Sequence, residues 1–489
     1  MIKRFIGVIS TYVLLFSVFS SCEEKIDVTP SIITEDVLYV SGERLRISGR
    51  IITTQNIEAS DHGFYISENE SFNQPTTISL GERVNPGRFI GEISSLVIDR
   101  KYFVKAFVTI QDENIFGNIA EVETLSPSVF NFSPNNGPEG TIVSISGQNL
   151  TSDTQVFFGD VKGTVIDISF ESILKVRVPP ISDQSVVNIK VLIQGKELSL
   201  EEPFEYTTGK YSKLADFPSA IRIFDGIYLQ EDDVFYIGMG TDRGQTMNNT
   251  MWKYQVGDGN WQEISLPSRS LWRPFSSNSY YGGGSLGPTN PVPVTDFYQL
   301  KNGQFSAMSD LPFVKSRALA FEISGNLYVV GGVLNGIPSR EVFEYAASSG
   351  IWKKLRDAPF DINETVLNFT YGGKQYFIDP LNKDLLAFDP IADFWETVSR
   401  FPGDLGNGTG VGVVIGDRAY LGLGNRSNEM WELNMTNLNW AEKNKFTGST
   451  VARNSAIYVH GGLIYLVRSA EVQIQGVPSE FWVFDPNGF

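Results

Sequence analysis

Residues 327–332 read Leu327-Tyr328-Val329-Val330-Gly331-Gly332, an apolar strand ending on two glycines. Val342-Phe343-Glu344-Tyr345 follows, then Trp352, then Leu355-Arg356-Asp357-Ala358-Pro359. The closing pentad recurs along the chain. Leu214-Ala215-Asp216-Phe217-Pro218, Glu263-Ile264-Ser265-Leu266-Pro267, Met308-Ser309-Asp310-Leu311-Pro312 and Val398-Ser399-Arg400-Phe401-Pro402 are further copies, and Asn444-Lys445-Phe446-Thr447-Gly448 is a degenerate one. A spacing of roughly 43–49 residues is that of a repeated four-stranded unit. An aromatic residue stands six or seven residues before the closing proline of the later copies, at Trp261, Phe305, Trp352 and Trp395, and Trp440 holds the same place before Thr447 of the degenerate one.

A strand ending on glycines, with Tyr and Trp at these intervals, resembles the kelch repeat, which implies a β-propeller over residues 209–489. Residues 317–359 are close to that pattern. Tyr236-Ile237-Gly238-Met239-Gly240 and Tyr420-Leu421-Gly422-Leu423-Gly424 keep single glycines, and Phe377-Ile378-Asp379-Pro380 keeps none. The first pentad lacks inner strands of its own, and Trp482-Val483-Phe484-Asp485 lacks an outer strand. Pairing the two predicts six blades and hides both sheet edges.

Two smaller segments precede the repeats. Alternating stretches such as Arg44-Leu45-Arg46-Ile47-Ser48 and Tyr102-Phe103-Val104-Lys105-Ala106-Phe107-Val108 predict half-buried strands over residues 31–125. With Gly63-Phe64-Tyr65-Ile66-Ser67 they resemble a fibronectin-type-III-like module. Residues 127–207 contain Phe132-Ser133-Pro134-Asn135-Asn136-Gly137-Pro138-Glu139-Gly140-Thr141, Val143-Ser144-Ile145-Ser146-Gly147-Gln148-Asn149-Leu150, Val156-Phe157-Phe158-Gly159 and Val176-Arg177-Val178-Pro179-Pro180. In this order they are similar to an IPT/TIG domain, an immunoglobulin-like β-sandwich. The expected fold class is all-β: two small β-sandwich modules, read as a spacer, followed by a six-bladed propeller.

At the start, Lys3 and Arg4 precede an apolar run over residues 5–19, and the chain's single cysteine, Cys22, follows after Ser20-Ser21. Residues 1–21 read as a signal peptide. Phe19-Ser20-Ser21-Cys22 resembles a lipobox, which implies lipidation at Cys22. Several acyl chains there give stable anchoring. Glu23-Glu24-Lys25 opens a tether over residues 22–30. Acidic residues at this place resemble the surface-export signal of Bacteroidota lipoproteins, which implies that Glu23 and Glu24 carry the export signal and that the chain is lipid-anchored in the outer membrane with its body at the cell surface.

The charge balance, Lys+Arg 39 against Asp+Glu 56, argues against a nucleic-acid partner. One cysteine rules out a disulfide framework within the chain. Two histidines, His62 and His460, are poor material for a His-cluster metal site or a Ser–His–Asp machine. No cofactor, metal or catalytic residue is expected.

Ligand-binding expectations fall on the propeller face that carries the loops between the second and third strands of each blade. Asp242 and Arg243 lie in one such loop, and residues 285–295, with Pro288, Pro291 and Pro293, form another. Arg222, Arg273, Arg317 and Arg453 recur at the starts of inner strands. Either they converge to hold a carboxylate or sulfate, or each is neutralised by a neighbouring acid. Trp272, Tyr280 and Tyr281 are candidates for stacking on a sugar ring, with core packing as the alternative. The architecture resembles accessory glycan-binding lipoproteins that act beside TonB-dependent transporters. It implies capture of an extracellular glycan rather than catalysis. A protein-interaction scaffold and a sugar-modifying epimerase or lyase are the alternatives.

Overall fold

The computed structural model describes residues 29–182, 184–218, 222–242, 245–471 and 477–489. Cys22, Glu23, Glu24 and Arg243 lie outside the described residues. Among the described residues the regular secondary structure is β, and no helix is long and apolar enough to cross a membrane. The chain divides into two compact units. One comprises Met1–Ser133, Val143–Val176 and Ile189–Glu202; the other comprises Pro134–Ile142, Arg177–Asn188 and Pro203–Phe489.

In the first unit, strands Ser31–Val40, Leu45–Ile52 and Gly87–Ile93 form one sheet. Thr76–Ser79, Ala59–Ser67, Lys101–Ile110 and Glu113–Glu123 form the other, in that order. Alternation places Leu45, Ile47, Phe64, Val104 and Ala106 between the sheets, fully buried. The same unit holds most of the second sandwich, whose core is built from Val143, Ile145, Val156, Phe158, Leu174 and Val191. Polar side chains tie the two modules together within it. Glu43 accepts from the Ser152 amide and hydroxyl, both at 2.9 Å. Gln194 accepts from the Ile98 amide at 2.9 Å and donates to the Leu96 carbonyl at 3.0 Å.

Among the described residues, the second unit carries six four-stranded antiparallel sheets. Blade 1 is Ile227–Glu231, Val234–Gly238, Met251–Gln255 and Trp261–Ile264. Blades 2 to 5 repeat that order, with inner strands Phe275–Ser276, Leu319–Ile323, Asn368–Tyr371 and Val411–Ile415. Blade 6 takes Ala452–His460, Leu463–Ala470 and Glu480–Asp485 from the end of the chain, and Lys210–Lys213 pairs antiparallel with Glu480–Asp485 as its outer strand. This is the closure that the incomplete first and last repeats predict.

The recurring aromatic residues pack between blades. Trp352 lies 5.0 Å from Tyr345 and 5.5 Å from Phe297 of blade 2. Trp261 lies 5.1 Å from Tyr254 and 5.3 Å from Phe481 of blade 6. The paired glycines have a steric cause. Gly331 takes a φ of 69°, and a Cβ there would stand 2.0 Å from the Ile362 carbonyl oxygen of the loop entering blade 4. The Gly332 amide donates to that same oxygen at 2.8 Å. Gly283-Gly284 repeats the arrangement in blade 2, where the Gly284 amide donates to Lys315 O at 2.8 Å.

Candidate functional site

Where the chain enters the inner strands of blades 1, 2 and 3, a short backbone bridge forms before the strand begins. Phe224 exchanges amide hydrogen bonds with Thr241, Trp272 with Ser285 and Ser316 with Val333, all at 2.7–3.0 Å. Each bridge fastens the incoming segment to the loop that leaves the second strand. The next residue is Asp225, Arg273 or Arg317, with φ of 56°, 54° and 62°. Left-handed backbone at non-glycine residues is uncommon and marks a constrained position. Here blade-to-blade bonding supplies the constraint: Arg273 N donates to Asp225 O at 2.9 Å, Arg317 N to Arg273 O at 2.9 Å, and Glu364 N to Arg317 O at 3.0 Å. Thr409 (φ 54°) in blade 5 donates to Thr365 O at 3.2 Å. Asn454 of blade 6 donates from Nδ2 to Thr409 O at 2.8 Å, and Ser455 Oγ donates to Ile223 O. A ring of hydrogen bonds thus runs around the axis.

The side chains on this ring form charged pairs. Arg317 Nε lies 2.7 and 2.9 Å from the two carboxylate oxygens of Glu364. Arg273 Nε approaches Asp225 at 3.2 Å, although its N–H is not aligned on the carboxylate and has no acceptor. Arg453 bonds Glu471 through Nε and reaches Asp225 at 3.8 Å through Nη1. Burial pushes the Glu364 carboxyl above its ordinary value, and Arg317 and Arg273 only partly offset it.

Three hollows meet on this ring. An axial cavity of about 160 Å³ is lined by Asp225, Glu364, Asn368, Thr409, Arg453 and Ser455, among others. A hollow of about 230 Å³ shares Phe224, Asp225 and Arg453 with it and adds Asp242, Arg273 and Glu471. A cleft of about 490 Å³ shares Arg273 with the second hollow and includes Trp272, Pro291, Pro293, Arg317 and Pro338. The cleft walls are the 285–295 loop and a small hairpin, Val333–Leu334 with Ile337–Pro338. Asn335 and Gly336 turn that hairpin with φ of 50° and 80°, as a type I′ turn requires. The Arg273 guanidinium lies 4.4 Å from the Trp272 ring centroid, a cation–π contact on the cleft side.

Of the two readings open for the arginines, an anion clamp or neutralisation by neighbouring acids, this geometry favours the second. Arg273, Arg317 and Arg453 do converge on one face, but each is already engaged by a carboxylate. Arg222 is not their counterpart. It is 7% exposed and donates to the Ala470 carbonyl at 3.0 Å. The residue in register with Arg273 and Arg317 in blade 1 is Asp225. Tyr280 and Tyr281 are also corrected: both are buried, Tyr280 stacked on Phe297 at 5.6 Å and Tyr281 on Tyr298 at 4.9 Å. The second strand of a blade is covered on both faces, so adjacent residues are both core. Trp272 and Asp242 line the hollows as expected; Asp242 also accepts from the Thr246 amide at 3.0 Å.

Asp225, Glu364 and Glu471 escape a search for recurring residue types, because they differ in charge from the arginines they accompany. Aligning the repeats by register, rather than by residue type, places Asp225 beside Arg273 and Arg317. The Asn335-Gly336 pair between short apolar stretches is the local signal for the cleft hairpin. Among the described residues, no group of three or more His, Cys, Asp or Glu side chains is arranged to hold a metal ion.

No curated protein matches the chain. A solved structure titled "Structure of YjhT" is similar over 55% of this chain and 95% of that one, at 13% identity and a TM-score of 0.45. Residues 127–206 match the family model described as "IPT/TIG domain", so the chain carries an IPT/TIG domain in its second sandwich.

Proposed function

We propose that the protein is a lipid-anchored, surface-exposed outer-membrane lipoprotein whose propeller captures an extracellular glycan as an accessory to nutrient uptake, beside a TonB-dependent transporter. The observation that carries the ligand class is the joined set of hollows on the ring, in which Trp272 stands beside paired guanidinium and carboxylate groups. Sugar hydroxyls both donate and accept hydrogen bonds, and ion pairs offer both functions side by side. An aromatic face covers the apolar side of a sugar ring, and ligand pockets combine apolar walls with a few placed polar groups. The anchor rests on the leader, with Cys22 two serines beyond the apolar run.

The test is a glycan array with affinity electrophoresis on the unlipidated Cys22→Ala chain. Retention by a polysaccharide without release of product supports capture. Product release moves the protein to the sugar-modifying class. Exposed apolar tips on the same face, Val292 at 55% and Ile337 at 70% exposure, favour a second reading as a protein-binding scaffold. Silence across glycans, with co-purification of a defined outer-membrane protein, supports that second reading.

A further inference from the structure

The ion pairs on the ring are not equally satisfied. Arg317 donates to both carboxylate oxygens of Glu364. Glu471 accepts from Arg453 Nε and, at 3.0 Å, from Asn425 Nδ2. Asp225 differs. Its carboxylate lies 3.2 Å from Arg273 and 3.8 Å from Arg453, yet among the described residues it accepts no hydrogen bond. Arg273 is open in the same way. Its Nε–H has no acceptor, and among the described residues its guanidinium donates to no protein atom. The guanidinium lies instead against the Trp272 ring, 4.4 Å from the centroid.

Position and length explain the difference. Asp225 and Arg273 hold the same ring place in blades 1 and 2, with left-handed φ of 56° and 54° and a bond from Arg273 N to Asp225 O. In a regular strand, neighbours point to opposite faces. The left-handed turn at Arg273 breaks that alternation, so its side chain returns to Trp272. Asp225 is also one methylene shorter than Glu364 and Glu471, the carboxylates that do close on their arginines. Both members of the open pair line the hollow of about 230 Å³, and Arg273 also lines the cleft in which Trp272 stands. A carboxylate only accepts and a guanidinium only donates, so an unused acceptor and an unused donor stand side by side. Neighbouring hydroxyls on a sugar ring offer the complementary donor and acceptor.

We infer that the Asp225–Arg273 pair is the polar anchor of the glycan site: one hydroxyl of a sugar ring donates to Asp225, its neighbour accepts from Arg273, and the apolar face of the ring meets Trp272. The inference rests on the glycan reading above and adds the residues that hold the sugar and the feature they read, two adjacent hydroxyls. Arg317–Glu364 and Arg453–Glu471 are the pairs that close the ring. Binding makes hydrogen bonds that the free protein leaves unmade at a half-buried place, where an unmade bond is costly.

The experiment is calorimetry on the unlipidated Cys22→Ala chain with linear gluco-, manno-, xylo- and galacto-oligosaccharides and any polysaccharide the array retains. Asp225→Asn, Arg273→Lys and the double variant are run beside it. Asp225→Asn keeps the shape and loses the charge, whereas Arg273→Lys keeps the charge and loses the planar fork. Each is expected to weaken the sugars that the parent chain binds by about tenfold. The double variant is expected to lose much less than the two losses multiplied, because the hydroxyl pair needs both groups. Tryptophan emission gives a reading that does not depend on these variants folding. Bound sugar is expected to shift the emission of the parent chain, and Trp272→Phe is expected to abolish that shift. Affinities of both single variants within about twofold of the parent chain, or a shift that survives in Trp272→Phe, overturn the inference and leave glycan capture standing. Binding of none of these probes, with an array that is also silent, removes the glycan reading and this inference with it.

Discussion

Arg317 holds both carboxylate oxygens of Glu364 on a single Nε, at 2.7 and 2.9 Å, while its own carbonyl accepts the Glu364 amide at 3.0 Å. Blade 3 and blade 4 are therefore joined by side chain and backbone at the same residue pair. Burial is the larger influence on Glu364 and raises its carboxyl above the ordinary 4.5. The folded state thus binds this proton more tightly than the unfolded state does. The stability linked to it is complete below pH 4.5 and declines as pH rises through the folded value. Arg317→Ala removes a cation that limits the rise, so the decline steepens. Thermal midpoints across pH 4 to 8 should show a variant about 1–3 kcal/mol less stable at neutral pH, with the deficit shrinking toward acid. A deficit independent of pH would contradict the pairing.

Tyr211, on the strand that closes blade 6, lies 4.4 Å from Phe484 and 5.1 Å from Phe446. Its hydroxyl is buried with no partner, and burial drives its ionisation far upward. Tyr211→Phe should leave the urea midpoint unchanged or raise it, because an unsatisfied buried polar group is removed. Tyr211→Ala should cost on the order of 3 kcal/mol, through lost packing at the seam. A loss on Tyr211→Phe comparable with that on Tyr211→Ala would show that the hydroxyl, rather than the ring, secures the seam.

Lys315 is buried between the Phe313 and Phe343 rings and donates to Ser339 Oγ at 2.9 Å, with Glu341 at 3.1 Å. Burial lowers the ammonium from its ordinary value. Lys354 first, and Lys315 second, depress Glu341 to about 2. A depressed carboxyl contributes stability that is present above 4.5 and is lost as pH falls toward the folded value. Acid titration of the Glu341→Gln variant should therefore show a shallower fall in stability between pH 4.5 and about 2 than the parent chain does. At neutral pH the variant should be less stable by about 1 kcal/mol, because the Lys315 charge keeps only its hydroxyl and ring partners.

Cys22→Ala should move the protein from the membrane pellet to the soluble fraction, and a pelleted variant would end the anchor reading. Reversing Glu23 and Glu24 to lysine should leave the pellet unchanged. If those residues carry the export signal, the reversal should protect the chain from protease added to intact cells.

The blades were legible in the sequence because each must bury the same aromatic and apolar positions against its neighbours, and that demand repeats in spacing. The Lys210–Lys213 pairing followed from counting strands: one repeat had only its outer strand, and another lacked it. The site was less legible. Arg273, Arg317 and Arg453 stood out by type, but their carboxylate partners sit on other segments, at positions fixed only when the ring closes. Trp272 was visible and reaches the cleft, whereas Tyr280 and Tyr281 look equally suited by composition and lie in a strand covered on both faces. Arg222 misled because it stands three residues before Asp225, the residue that occupies the blade 1 place on the ring.

Lys210 pairs with Asp485, more than half the chain away in sequence. During biosynthesis, five blades and most of a sixth must therefore exist before the seam can form. Until then the nascent protein is an arc with two raw strand edges. A long-range pairing of this kind is slow, because loop closure precedes any reward from contact. The raw edges attract any passing strand in the meantime. Maturation of this propeller thus waits on the pairing of its first strand with its last.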